Sequence, residues 1–333
     1  GSTSLGEHRY VFLLRHGKSR WNEAQESYSL YGMYTENDHP LCREGVRQAE
    51  RLRLDAEARR HAISNDKVQF PETEQLYLTK FLAPSIIMVS PFTRAVQTAC
   101  VGLRELFPQS TGGLKIAKEA REQKNFGGAD CSGVAVGSKI KERAVSELKP
   151  LYRHDDAAEA SLFEAMQKAT DSAKWDFSGV EDEWWHSVME FEDDIEKRLD
   201  TLLDDIRSIP SGSSAVVVSH SQLIRRFFRR YCSADLKKSS PDTVAALSTS
   251  LIPCCGMIGC RIDWDGQSGL PQLSECIPML GTKIQIPGHD DTLSYLGAAV
   301  LGGCCSGRRR GEPQTLGEMR LEPWQLDLPP PPN

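Results

Sequence analysis

Three short apolar runs limit what this chain can fold into. Tyr10–Leu14 (YVFLL), Ser85–Val89 (SIIMV) and Ala215–Val218 (AVVV) are rich in branched and aromatic residues and bounded by polar ones. Each is too short for a buried helix and reads as a strand covered on both faces. IGCRIDW, from 258 to 264, is a weaker strand signal. Helical spacing separates the runs: Val46, Ala49, Leu52 and Ala56; Val96, Ala99, Leu103 and Leu106; Val188, Phe191, Ile195, Leu199, Leu202 and Ile206. A further stripe, Ile224, Phe227, Phe228 and Tyr231, lies opposite Arg225, Arg226, Arg229 and Arg230. Strands alternating with one-sided helices predict an α/β fold, a three-layer α/β/α sandwich around a mostly parallel sheet.

The ends of these strands carry the chemistry. The first run leads into Arg15-His16-Gly17, the second into Ser90-Pro91-Phe92-Thr93-Arg94 and the third into Ser219-His220-Ser221. Buried cations and imidazoles are costly, so their recurrence at three strand ends needs a reason. In open parallel sheets ligands bind beyond the carboxyl ends of the strands. The helix that follows each strand turns its N-terminus, with free N–H groups, to the same edge. Two arginines, two histidines and helix N-termini make a receptacle for an anion, and a phosphoryl group offers the oxygens that guanidinium forks match. A metal ion would face two permanent positive charges there, and the histidines lack helical metal-ligand spacing. No metal and no cofactor is expected.

Composition narrows the partners. The 333 residues carry a net charge of −6, which leaves no basic footprint for nucleic acid. No apolar run reaches membrane-spanning length. The ten cysteines are scattered and include the adjacent pairs Cys254-Cys255 and Cys304-Cys305, without CxxC or a secretory-type leader. That pattern reads as a reduced, cytoplasmic chain. The expected partner is a small phosphorylated substrate, with the protein a monomer or homodimer.

Between roughly residues 9 and 232, several segments resemble one family in order. LLRHGKSRWNE is similar to the RHG signature of the histidine phosphatase superfamily, the phosphoglycerate-mutase-like fold. PLCREGVRQAERL resembles that family's PLTxxGxxQA helix, with Cys42 where threonine is usual, and SPFTRAVQTA its SPxxRAxQTA segment. AREQKNFGGADCSG resembles the acid loop, EDEWWHSVMEFEDDIEKRLDTLLDDI a tryptophan-pair-then-helix segment of phosphatase members, and VVVSHSQLIRRF the second-histidine strand.

The resemblance implies roles. His16 is the nucleophile that becomes phosphohistidine, its other ring nitrogen donating to a backbone carbonyl, expected at Gly17. Arg15, Arg94 and His220 hold the phosphoryl oxygens, and Asn22 adds a neutral hydrogen bond. Glu122 is the general acid and base, ahead of the nearby Glu119, and its first task needs a raised pKa. The expected activity is phosphomonoester hydrolysis. The alternatives are a phosphoglycerate-type mutase and a catalytically weak binding module on the same fold.

Two departures touch the site. Lys18 stands where glutamate or glutamine is common and is expected at the pocket mouth, favouring a substrate with a second acidic group. Ser221 stands where glycine often lets backbone approach the phosphate, so its N–H is the expected contact. Asp130 and the Trp184-Trp185 pair read as structural, the four arginines as a solvated helix face, and the remaining histidines carry no pattern. Residues 1–265 are read as the catalytic domain, with insertions at about 23–40 and 123–180 over the site. Residues 266–333 are read as a partly flexible C-terminal extension.

Overall fold

The computed structural model describes residues 7–65, 70–124, 129–186, 189–266 and 268–284. Seven strands, β1 (Glu7–Arg15), β2 (Ile86–Val89), β3 (Leu114–Ile116), β4 (Trp175–Asp176), β5 (Ser214–Ser219), β6 (Met257–Trp264) and β7 (Pro271–Met279), form one sheet in the order β4-β3-β2-β5-β1-β6-β7. The first five strands of that order pair in parallel, and β6 and β7 add an antiparallel edge. Helices α1 (Arg20–Glu26) to α5 run through α2 (Leu30–Tyr34), α3 (Arg43–Ser64) and α4 (Glu72–Leu82) to Thr93–Gly102. They continue with α6 (Lys139–Leu148), α7 (Ala157–Ser172), α8 (Glu192–Arg207), α9 (Ser221–Tyr231), α10 (Ala234–Ser239) and α11 (Pro241–Thr249).

Alternation along the central strands builds three layers. Tyr10, Phe12 and Leu14 of β1 pack on one face with α3, α4 and α5, while Val11 and Leu13 pack on the other with α8 and α9. β5 divides likewise, with Val216 and Val218 on the first face and Ala215 and Val217 on the second. A strand buried on both faces has no place for a polar side chain until it leaves the sheet, which is why the apolar runs stop where they do. The α8 stripe is buried from Ile195 to Ile206, but Phe191 caps the helix and is 64% exposed; Val188 lies outside the described residues.

Two regions differ from expectation. The expected boundary at 266 falls in the β6–β7 turn, and β7 extends the sheet to Met279 through pairs such as Cys260 with Cys276. Only Leu273 and Met279 of that strand are fully buried, so it lacks the apolar run by which strands are recognised. Residues 123–180 contain α6, α7 and the two-residue β4, which pairs with β3, so this expected insertion contributes to the sheet. The expected tail features, Gly302-Gly303, Arg308–Arg310, Trp324 and the closing prolines, lie outside the described residues. Among the described residues no disulfide is formed and no helix is long and apolar enough to cross a membrane.

Candidate active site

The sheet order sets β2, β5 and β1 side by side with their carboxyl ends level: Arg15 pairs with Ser219 and Val89 with Val218. The residues just past these strands therefore meet. The His16 and His220 ring centroids are 4.9 Å apart, with the planes tilted by 57°. Both rings are buried, at 5% and 0% exposure.

Each imidazole is oriented by a specific partner. His16 Nδ1 lies 2.7 Å from the Gly17 carbonyl. A carbonyl only accepts, so Nδ1 carries the proton and Nε2 keeps its lone pair. Glycine at 17 has a steric reason: a Cβ there would stand 2.8 Å from the Gly45 carbonyl oxygen. The Gly17 N–H donates to Thr98 Oγ1 at 2.9 Å. His220 Nε2 lies 2.7 Å from Ser90 Oγ, which also accepts from the Phe92 N–H at 3.5 Å. His220 Nδ1 is buried and has no hydrogen-bond partner. Phe92 packs edge-on against His220 at 5.4 Å, and Trp184 against Phe92 at 5.0 Å, so the tryptophan buttresses the site from behind.

The cations are held beside these rings. Arg15 donates to the Ile252 carbonyl at 2.5 Å. The Arg94 guanidinium lies 3.0 Å from Asp130 Oδ1, 4.0 Å from Asp38 Oδ1 and 4.7 Å above the Phe92 ring, with Nε unpartnered. Burial, then the Arg94 and Arg15 charges, push the His16 pKa well below its usual 6.5, and His220 is lowered by burial and Arg94 in the same way. Both imidazoles are therefore neutral near pH 7.

Glu122 lies in the loop after β3, and its side chain reaches the first turn of α9. Its carboxylate accepts from the N–H groups of Gln123 at 2.9 Å, Leu223 at 3.2 Å and Gln222 at 3.3 Å. Burial raises its pKa from 4.5, against the lowering effect of the Gln123 hydrogen bond and Arg94. Ser221 opens the same helix, buried, with its hydroxyl unpartnered.

Two of the expected site residues have other local work. Asn22 is buried in the capping box of α1, its carbonyl accepting from the Ser19 N–H at 3.1 Å and Oγ at 3.0 Å. Lys18 Nζ is 2.5 Å from Glu26 in an ion pair that engages its charge. The four arginines of α9 point outward: Arg226 pairs with Glu192 and Arg230 with Glu196 and Asp200, while Arg225 and Arg229 donate to the Thr249 and Ser248 carbonyls.

Further residues complete the frame. Asp38 accepts from the Thr93 N–H at 2.8 Å and hydroxyl at 2.6 Å, and burial pushes its pKa up to about 6. Asp130 pairs with Arg94, and Ser90 hydrogen-bonds to His220; Ser90 was visible in the SPFTR segment, but its partner lies 130 positions away. Among the described residues no His, Cys, Asp and Glu side chains are grouped to hold a metal ion.

The chain matches no family model and no curated protein. Solved structures similar to it are members of the histidine phosphatase superfamily. One is a phosphoglycerate mutase from Bacillus anthracis, at 17% identity over 81% of this chain and 93% of that one, with a TM-score of 0.40. Another is a mycobacterial glucosyl-3-phosphoglycerate phosphatase, at 19% identity over 80% and 98% of the two chains, with a TM-score of 0.40. A third is an ecdysone phosphate phosphatase from Bombix mori, at 16% identity over 86% and 99%, with a TM-score of 0.38.

Proposed function

We propose that this protein is a phosphomonoester hydrolase of the histidine phosphatase type, working through a phosphohistidine on His16. The observation that carries the reading is the pair of neutral, buried imidazoles 4.9 Å apart beside Arg15 and Arg94, at the carboxyl ends of three adjacent strands. A neutral set of donors would not require two buried guanidiniums; an incoming dianion does.

In the first step the Nε2 lone pair of His16 attacks phosphorus, and the P–O bond to the alcohol breaks. Protonated Glu122 gives its proton to the departing oxygen. In the second step Glu122, now ionised, takes a proton from water, whose oxygen attacks the phosphoryl group and returns His16 to its starting form. Arg15, Arg94, His220 and the Ser221 N–H stabilise the equatorial oxygens throughout. The ion pair with Glu26 engages the Lys18 charge.

The test is phosphate release from a panel of aryl, alkyl and sugar phosphate esters, with His16→Ala as the blank. Hydrolysis by the wild type that falls by roughly 10⁴-fold or more in the variant supports the reading. Equal release by both proteins sinks it.

A further inference from the structure

Glu190 lies outside the sites described above, yet it is a carboxylate with 1% side-chain exposure placed between two buried arginines. Its Oε1 is 2.6 Å from Arg121 Nη2, and its Oε2 is 3.1 Å from Arg198 Nη2 and accepts from the Lys124 N–H at 3.0 Å. The arginines in turn grip the backbone that carries Glu122. Arg198 Nη1 donates to the carbonyls of Glu119 at 2.8 Å and Arg121 at 2.7 Å, and Arg121 Nη1 donates to the Lys118 carbonyl at 2.9 Å. Hydrogen bonds from this one cluster thus hold residues on both sides of Glu122, at 118, 119, 121 and 124. The half-exposed His186 adds Nε2 at 3.6 Å from Glu190.

We infer that Glu190 is the positioning residue for the general acid: it neutralises Arg121 and Arg198 and, through them, fixes the loop that presents Glu122 to the leaving oxygen. The inference rests on the phosphatase reading of the site. Glu190 does two things for Glu122. It fixes the carboxyl in space, and it cancels two positive charges that would otherwise favour the ionised form. Buried cations left without their counter-ion act on whatever titrates nearby.

That dual role has a signature that loss of packing does not. A good leaving group, such as 4-nitrophenolate, departs with little help from an acid; an alkoxide does not. Glu190→Gln is nearly the same size but uncharged. In that variant kcat/KM for an alkyl phosphate falls roughly 10- to 100-fold, while 4-nitrophenyl phosphate falls about threefold or less. The alkaline limb of the alkyl-ester profile moves to lower pH, because Arg121 and Arg198, no longer neutralised, stabilise the Glu122 carboxylate. Glu190→Asp keeps the charge; it restores the alkaline limb and serves where the glutamine variant folds poorly. Equal losses on both esters, or an unmoved alkaline limb in soluble Glu190→Gln, overturn the assignment while the phosphatase reading stands. A wild type that hydrolyses neither ester removes the reading and the role together.

Discussion

Two groups of arginines in this molecule are chemically alike and physically opposite. Arg15, at the end of β1, and Arg94, in the first turn of α5, are each 1% exposed. Arg226 and Arg230 ride the outer face of α9, where Glu192, Glu196 and Asp200 reach across from α8 to meet them. The second group is the denser in sequence and the first to catch the eye as a basic patch. It is also the cheaper to maintain, because solvated charges cost little and exposed pairs return about 0–1 kcal/mol. Keeping Arg15 and Arg94 out of water costs several kcal/mol per ion unless something compensates. In Arg94 the compensation is partial: Asp130 and Asp38 flank one end of the guanidinium, and Nε has no partner. What separates the two groups physically is burial and the cost that comes with it.

The comparison breaks most visibly on Arg94. Arg94→Ala lowers kcat/KM for phosphate esters by roughly 10²- to 10³-fold, the usual loss when a donor to transition-state charge is removed. A loss under about tenfold, measured at fixed ionic strength, would put Arg94 with the outer group.

Acidity gives the next largest effect. His16 and His220 have pKa values below 6.5, so both remain neutral as the pH falls through that value; protonation removes activity only further down. Glu122, raised above 4.5, keeps its proton further up and loses activity for alkyl esters when it ionises. The kcat/KM profile is therefore a bell with its acid limb below pH 6.5, falling by about tenfold per pH unit beyond either limb. Activity that rises with unit slope through 6.5 would show an ordinary, solvated histidine instead.

The same contrast explains what could be read from the sequence. β1, β2 and β5 announced themselves because double-sided burial demands unbroken apolar runs, and the residues placed at their ends are the ones the sheet brings together. β3 with three residues and β4 with two are too short to carry such a signature, and β7, an edge strand, is buried at only two of its nine residues. The buttressing carboxylates were hidden for another reason. Asp38 meets Thr93 across 55 positions and Glu190 meets Arg121 across 69, distances over which no local spacing carries information. Asn22 shows the reverse: a residue expected at the phosphate hydrogen-bonds to Ser19 in the capping box that starts α1.

The outer arginines supply the smallest effect. Arg230→Ala breaks exposed pairs with Glu196 and Asp200, and should change kcat/KM by less than about twofold and stability by about 0–1 kcal/mol, measured by ester hydrolysis and urea unfolding. A catalytic loss comparable to that of Arg94→Ala would mean that this face also receives substrate.

The most direct test of the account is to catch the covalent intermediate. Rapid mixing with an aryl phosphate, an alkaline quench that preserves phosphoramidates, and peptide mass spectrometry should find one phosphoryl group on His16, absent from His16→Ala. A phosphoryl group on another residue, or full hydrolysis with none on His16, would contradict it.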